Sequence, residues 1–316
     1  MSTCLLNLLL ITFNSIMLTG AIKKIKGIPS YFYRNFAAPR IYSLRDRKIL
    51  LKNIELKNKY SGQHCFIIGG GPSVANIDLP KLSQEYTFVT NEFDKNPKYQ
   101  ALAPKFHLMS DSQYYTEDTG SFWLKRFKEK DQNISKETTV LLNLASRPFI
   151  KKYGLFKNHS VFYIGTQGIM SDNFPFSIKL DRYVPMPKNS LLLCLISAYY
   201  MGFSPIYILG CEHDFLAYPL KPGEPNTNNW YPYSYVDKEI ANLDLSNAQV
   251  AIKFASERDA FANYECAMAH VLQLYKNYRL FYKKAKQANP DFQVLNVTPN
   301  SFLDVFPHID FDQIKL

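Results

Sequence analysis

The chain has 316 residues, 47% of them hydrophobic and 20% charged, and a net charge of +10. That is ordinary globular composition, long enough for one large domain or two modest ones. Its five cysteines lie far apart with no CxxC pair, which excludes a disulfide framework or a zinc site and reads as reduced thiols in a cytosolic compartment. Aromatic residues reach 15%, with 22 Tyr and 23 Phe, which suits a deep core and also surfaces that stack on sugars or bases. The basic balance suits polyanionic partners such as nucleotide phosphates or anionic lipid.

Residues 4–21 form an apolar run. No Lys or Arg precedes it, and Lys23, Lys24 and Lys26 come after it, the reverse of a secretory signal. At about 18 residues it is barely long enough to span a bilayer, and Asn7, Thr12, Asn14 and Ser15 weaken it. Residues 4–26 therefore read as an interfacial helix touching the inner leaflet, with a helix packed on the fold as the alternative. Residues 22–60 add Arg34, Arg40, Arg45, Arg47 and Lys48, as a helical lead-in or a surface for anionic lipid. Residues 1–60 are thus an N-terminal apolar and basic helical extension, and 61–316 the catalytic domain.

The stretch His64 to Ser73 is the hub of the chain. Cys65 to Ile68 has the length and branching of a buried parallel strand. Gly69, Gly70 and Gly71 allow left-handed backbone and close approach to a ligand. Pro72 suits a first helical position, and Ser73 stands in the first turn. Such a bend is a ready anion site. It is neither a Walker A loop nor a complete GxGxxG, so ATP and NAD are poor guesses.

A short helix is expected over 74–82, then strands over 86–90, 105–110, 138–144 and 160–164, with a helix over 122–129. Asn91, Ser110 and Asp111 stand at the strand ends. Asn189 is an N-cap, and with Ser190 it opens a helix over 191–201 whose start is a second phosphate site. A strand over 206–210 ends in Glu212, His213 and Asp214, a titratable cluster suited to acid–base work. Residues 216–243 form a long irregular segment, read as a lid, in which Tyr218, Tyr231 and Tyr233 are placed to bond a phosphate or stack on a sugar. Helix is expected over 245–287 and a last strand over 292–297. Strands alternating with helices give an α/β, Rossmann-like, mostly parallel doubly wound sheet, whose ligands sit beyond the carboxyl ends of the strands.

The strand with Gly-Gly-Gly-Pro-Ser and then Ile77-Asp78-Leu79 resembles the opening of the bacterial family 42 sialyltransferases and of related polysaccharide-locus proteins of the hydroxymethylpterin-pyrophosphokinase-like group. Thr90 to Phe93, Ser190 before an apolar helix, Gly202-Phe203 before Ile206 to Gly210, and Thr298 to Leu303 match in the same order. The resemblance spans roughly residues 62–306. It implies a GT-A-like nucleotide-binding domain with a mobile lid, using no metal and no cofactor, that transfers a CMP-activated sugar with inversion to a cell-surface glycan. It places Gly69 to Gly71 and Ser73 on donor phosphate or ribose, Asn91 on the nucleotide, Ser190 on the phosphate, and Glu212 where the family has an Asp that meets the nucleotide sugar. Two departures stand out. Gly70 replaces the family's Asn, and no His lies between His213 and His270, so His213 and Asp214 substitute for the lid histidine as general base. The expected activity is a sialyltransferase-like glycosyltransferase of capsule or lipooligosaccharide synthesis. It would be cytoplasmic and peripheral on the inner membrane, would bind no nucleic acid, and is open to homo-oligomerisation. The alternatives are an ATP- and Mg²⁺-dependent pyrophosphokinase-like enzyme, with Asp111, Glu212 and Asp214 on the metal, and a non-catalytic basic protein that binds membrane or nucleic acid.

Overall fold

The computed structural model describes residues 30–110, 120–173, 175–214 and 264–315. Among these, seven strands form one sheet: β1 Cys65–Ile68, β2 Thr87–Thr90, β3 Phe106–Met109, β4 Thr139–Asn143, β5 Val161–Ile164, β6 Ile206–Leu209 and β7 Val294–Asn296. Every pairing is parallel, in the order β5-β4-β3-β2-β1-β6-β7. The chain winds outward from β1 to β5 and returns to lay β6 on the other side of β1. The topological switch point, where the direction of winding reverses, therefore lies between β1 and β6.

The strand runs are apolar on both faces because both faces are covered. Cys65 and Ile67 enter one core with Phe88, Phe106, Leu108, Ile206 and Ile208; Phe66 and Ile68 enter the other with Val89, Met109, Val140, Leu142 and Leu209. Among the described residues five α-helices of seven residues or more accompany the sheet: α1 Ala38–Arg45, α2 Gly120–Asn133, α3 Arg147–Tyr153, α4 Ser190–Met201 and α5 Tyr264–Ala288. Eleven of the twelve residues of α4 are buried, so it is apolar all round, as a central helix must be. It ends at Gly202, whose φ of +91° is a left-handed turn that favours glycine. On α5 the buried positions Val271, Leu274, Tyr278, Phe281 and Ala285 recur at three- and four-residue spacing, which lays one stripe on the core. Tyr60, Phe88, Phe106 and Phe203 pack ring to ring beneath the sheet, so part of the aromatic excess belongs to the core.

Residues 30–60 are helical and tie to both ends of the fold. Asn58 and Tyr60 donate backbone N–H to the carbonyls of Tyr200 and Met201 at the end of α4 (3.0 and 2.9 Å). The buried Asn53 amide donates to the carbonyls of Tyr163 and Leu180 (2.8 and 2.7 Å), covering the edge strand β5. Among the described residues no helix is long and apolar enough to cross a membrane. The interfacial helix expected over 4–26 lies outside them.

Helix α3 was not expected from the sequence, residues 245–263 of the helix expected over 245–287 lie outside the described residues, and one expected element differs in type. Residues 74–82 do not form an α-helix; two short 3-10 turns, Pro72–Asn76 and Leu79–Leu82, stand there instead. The reason is local: Asp78 and Pro80 break the segment, and neither turn has a side-chain cap.

Candidate functional site at the carboxyl edge of the sheet

The glycine bend stands after β1 at the switch point, as expected, but its backbone works differently. Gly71 has a φ of −65°, and Gly69 and Gly70 are not among the positive-φ residues. Glycine is needed here for close approach instead. A Cβ on Gly69 would lie 2.4 Å from the Gly210 carbonyl oxygen, and one on Gly71 would lie 1.6 Å from Oε2 of Glu212. The bend is packed against the loop after β6. Its amides are engaged by that loop: Gly69 N–H donates to the Leu209 carbonyl (2.8 Å), Gly71 N–H to the Gly210 carbonyl (3.0 Å), and Ser73 N–H to Oε1 of Glu212 (2.7 Å). The expectation that Gly69, Gly71 and Ser73 offer bare amides to a phosphate is therefore corrected. A carboxylate of the chain already takes the anion's place on Ser73, which is where the polarity of such a bend favours negative charge. The Ser73 hydroxyl is enclosed without a hydrogen-bond partner.

Glu212 is buried, and its loop is held from behind. The Ser301 hydroxyl donates to the Cys211 carbonyl (2.5 Å), Phe302 N–H donates to the Glu212 carbonyl (2.7 Å), and Cys211 N–H donates to the Thr298 hydroxyl (3.1 Å). The Thr-Pro-Asn-Ser stretch near the chain end is thus the clamp on residues 211–212. Sequence spacing gave no sign of that pairing, because the two segments are about 90 residues apart.

His213 has a φ of +54°, it is buried, and its Nε2 lies 3.1 Å from the Tyr278 hydroxyl. Burial pulls its pKa down to about 4, against a backbone hydrogen bond at Cys211 that works the other way. The imidazole is neutral and accepts from Tyr278. Tyr278 in turn accepts from the Asn189 amide (2.7 Å), while Asn189 Oδ1 caps α4 by accepting from Leu192 N–H (3.0 Å). Asn189 is the N-cap that the sequence indicates, and its amide is committed to the protein. Asp214 Oδ1 is enclosed and has no hydrogen-bond partner among the described residues.

Asn91, Ser110 and Ser190 come together. Asn91 Nδ2 donates to the Ser190 hydroxyl (2.9 Å), the Ser110 and Ser190 hydroxyl oxygens are 2.6 Å apart, and Ser110 N–H reaches Asn91 Oδ1 at 3.4 Å. The cluster sits on the carboxyl ends of β2 and β3 and the first turn of α4. Asn143, at the end of β4, extends it by donating to the Ser110 carbonyl (3.2 Å) and the Thr166 hydroxyl (3.3 Å). Asn143 and Thr166 were not singled out from the sequence; an Asn closing an apolar strand run is the signal that could have found them.

A buried ionic group holds Asn91 from below. Asn91 has a φ of +48°, and its carbonyl accepts from Lys130 Nζ (2.6 Å) and lies 2.9 Å from His107 Nε2. Lys130 also bonds Asp94 (2.6 Å) and faces Glu92 (3.1 Å), and Arg126 reaches both acids (2.6 and 3.2 Å). Burial pushes Glu92 and Asp94 up, but Lys130 and Arg126 outweigh it and hold both below the usual carboxylate range. Burial, with Lys130 adding to it, lowers His107 to about 4, so it is neutral; its Nδ1 accepts from the Tyr99 hydroxyl (3.0 Å). None of these charges was picked out from the sequence, where a Glu-x-Asp and a helix Arg-x-x-x-Lys look like a solvated surface.

Asp111, Tyr218, Tyr231, Tyr233 and the lid over 216–243 lie outside the described residues. Among the described residues there is no group of three or more His, Cys, Asp or Glu placed to hold a metal ion. No protein-family model matches the chain, and no curated protein matches it. Among solved structures it is similar to the MAf glycosyltransferase of Magnetospirillum magneticum AMB-1, at 13% identity and a TM-score of 0.46, over 96% of this chain and 43% of that one. The chain thus spans less than half the length of that protein, and a likeness of this size carries no functional argument.

Proposed function

We propose that the chain is a glycosyltransferase that moves a sugar from a nucleotide-activated donor, CMP-linked by preference, to a glycan acceptor. The observation that carries the reading is the convergence of Asn91, Ser110 and Ser190 on the carboxyl ends of β2 and β3 at the start of α4. Doubly wound parallel sheets receive ligands on the side of their strands' carboxyl ends, the side on which this cluster stands, and the dipole of a twelve-residue helix favours an anion at its first turn. The donor's phosphate belongs there, on the Ser190 and Ser110 hydroxyls, rather than on the glycine bend. Asp214, with one carboxylate oxygen enclosed and unpartnered, replaces His213 as the base: the acceptor hydroxyl attacks the anomeric carbon, its proton passes to Asp214, and the nucleotide leaves with the bonding pair. Metal independence and inversion are part of the same proposal, so EDTA should leave turnover unchanged.

The test is a thermal-shift panel of CMP, UDP, GDP and ADP on the full chain and on Ser190→Ala. Selective stabilisation by one nucleotide, lost in the variant, supports the reading. Equal indifference to all four removes it.

A further inference from the structure

A concentration of like charge lies at the far edge of the sheet, away from the glycine bend and the serine cluster. A cavity of about 550 Å³ is lined there by Lys48, Lys52, Arg147, Lys151 and Lys157, and among the described residues no carboxylate lines it. It opens beside β5, four strands from β1, or about 19 Å at the usual strand spacing.

The cations stand in pairs that repel. Arg147 and Lys151 are four apart on α3, so they share one face. Lys48 and Lys52 have the same spacing in the N-terminal segment, across the join of the short helix Arg47–Leu50 and the 3-10 turn Leu51–Leu56. Like charges at that spacing cost a helix stability, and both pairs line the one hollow. Two of the side chains are also held in place. Lys52 Nζ donates to the Val161 carbonyl (2.9 Å). Lys157 folds back over the turn that ends α3, where a Cβ on Gly154 would lie 2.9 and 3.0 Å from its Cε and Nζ. His159 lines the hollow as well, but burial lowers its pKa, so it adds no charge at neutral pH. Asp131, 3.3 Å from His159 Nδ1, is shared with Lys136 (3.6 Å).

Five cations in one hollow with no carboxylate among them call for an anion from outside, and the shape says which kind. A bilayer is flat and gains from exposed apolar side chains beside the cations. The apolar lining here, with Ile49, Ile150, Leu155 and Phe156 in it, is buried or half-buried and offers none to insert. Nucleic acid is met by a basic stripe or patch that follows its backbone, whereas these cations close on one concavity of the size that holds a small molecule. A lone phosphate ester brings about two negative charges, too few for five cations; linked phosphates bring more in the same small volume.

We infer that this hollow is a binding site for a compact polyphosphate anion, two or more linked phosphates, seated among Lys48, Arg147, Lys151 and Lys157. The inference does not depend on the transferase reading, since it rests on none of the same residues.

The probe is inorganic tripolyphosphate, titrated into the full chain by calorimetry and by thermal shift, with ionic strength matched by NaCl. The basin variant is Lys48→Gln/Lys151→Gln/Lys157→Gln. The control of equal charge is Lys81→Gln/Lys276→Gln/Lys283→Gln, at exposed positions outside the hollow. Lys52 is left in place because of its bond to Val161. A cation facing a phosphate at an open surface is worth roughly fivefold in affinity, so losing three predicts a drop of roughly a hundredfold. The expected result is one saturable site, tighter for tripolyphosphate than for orthophosphate, weakened to that extent in the basin variant and kept in the control and in Ser190→Ala. Should the triple variant fail to fold, Lys151→Gln alone is expected to lose roughly fivefold. No saturable binding overturns the inference, and so does undiminished binding by the basin variants. Equal losses in the basin and control variants overturn it as well, because net charge alone would explain them. Loss in Ser190→Ala with the basin variant unaffected places the anion on the serine cluster, which overturns the inference and leaves the transferase reading standing. Phosphatidylglycerol vesicles or an oligonucleotide held by the same lysines, without competition from tripolyphosphate, reassign the hollow to an extended polyanion and overturn it too.

Discussion

At the glycine bend, one hydrogen atom is all that fits between the backbone and a carboxylate. Gly71→Ala places a methyl 1.6 Å from Glu212 Oε2, so either the carboxylate leaves Ser73 or the bend moves. Overpacking of this kind costs about 1–3 kcal/mol, and denaturant unfolding should register it. Unchanged stability would mean that Glu212 is not seated on the bend. Two residues beyond Glu212, Asp214→Asn keeps shape and removes the proposed base. Turnover should fall about 10²–10⁴-fold while the melting temperature holds. His213 reverses that pattern: enclosed and hydrogen-bonded to Tyr278, it is a packing residue, and its replacement should lower stability before it touches rate.

Between elements, the contact that matters most is that of α2 with the turn after β2. Lys130 is fully enclosed and joins Asp94, Glu92 and the Asn91 carbonyl. Lys130→Met would leave the buried Asp94 and the half-buried Glu92 facing Arg126. Breaking a buried ion group by removing one partner costs about 3–5 kcal/mol. The same change releases Asn91 from its left-handed conformation, so nucleotide stabilisation should weaken in any variant that still folds. A variant as stable as the native chain would show that the group is solvated.

For the whole molecule, pH reports the buried imidazoles. Burial lowers both His107 and His213 from 6.5 to about 4. As pH falls below 6.5 the unfolded chain takes up these protons and the folded chain does not, so stability declines between about 6.5 and 4 and levels off for these groups below that. At about 1.4 kcal/mol per pKa unit, each histidine contributes a loss on the order of 3 kcal/mol. Glu92 and Asp94, held below their usual range, push the same way at lower pH. Denaturant midpoints measured from pH 7 to pH 4.5 should drop steeply, and replacing both histidines by Gln should flatten the curve. A flat native curve would show that the rings are open to water.

All seven strands were legible in the sequence: central strands such as β1 and β3 are buried on both faces and so apolar at consecutive positions, and the edge strands β5 and β7, which alternate buried and half-buried positions, still read as short apolar runs. The same holds for the start of α4, where Asn189 caps its own helix three residues on, and for Asn91 and Ser110, which follow the last residues of β2 and β3, and Ser190, which opens α4. The tertiary structure alone decided what those polar groups meet. Glu212 reaches Ser73 across 139 residues, Ser301 reaches Cys211 across 90, and Lys130 reaches back to Asn91 across 39. Hydrophobic periodicity records which way a side chain faces; the partner of a polar group depends on which loops a winding sheet brings to one edge, and local sequence does not carry that.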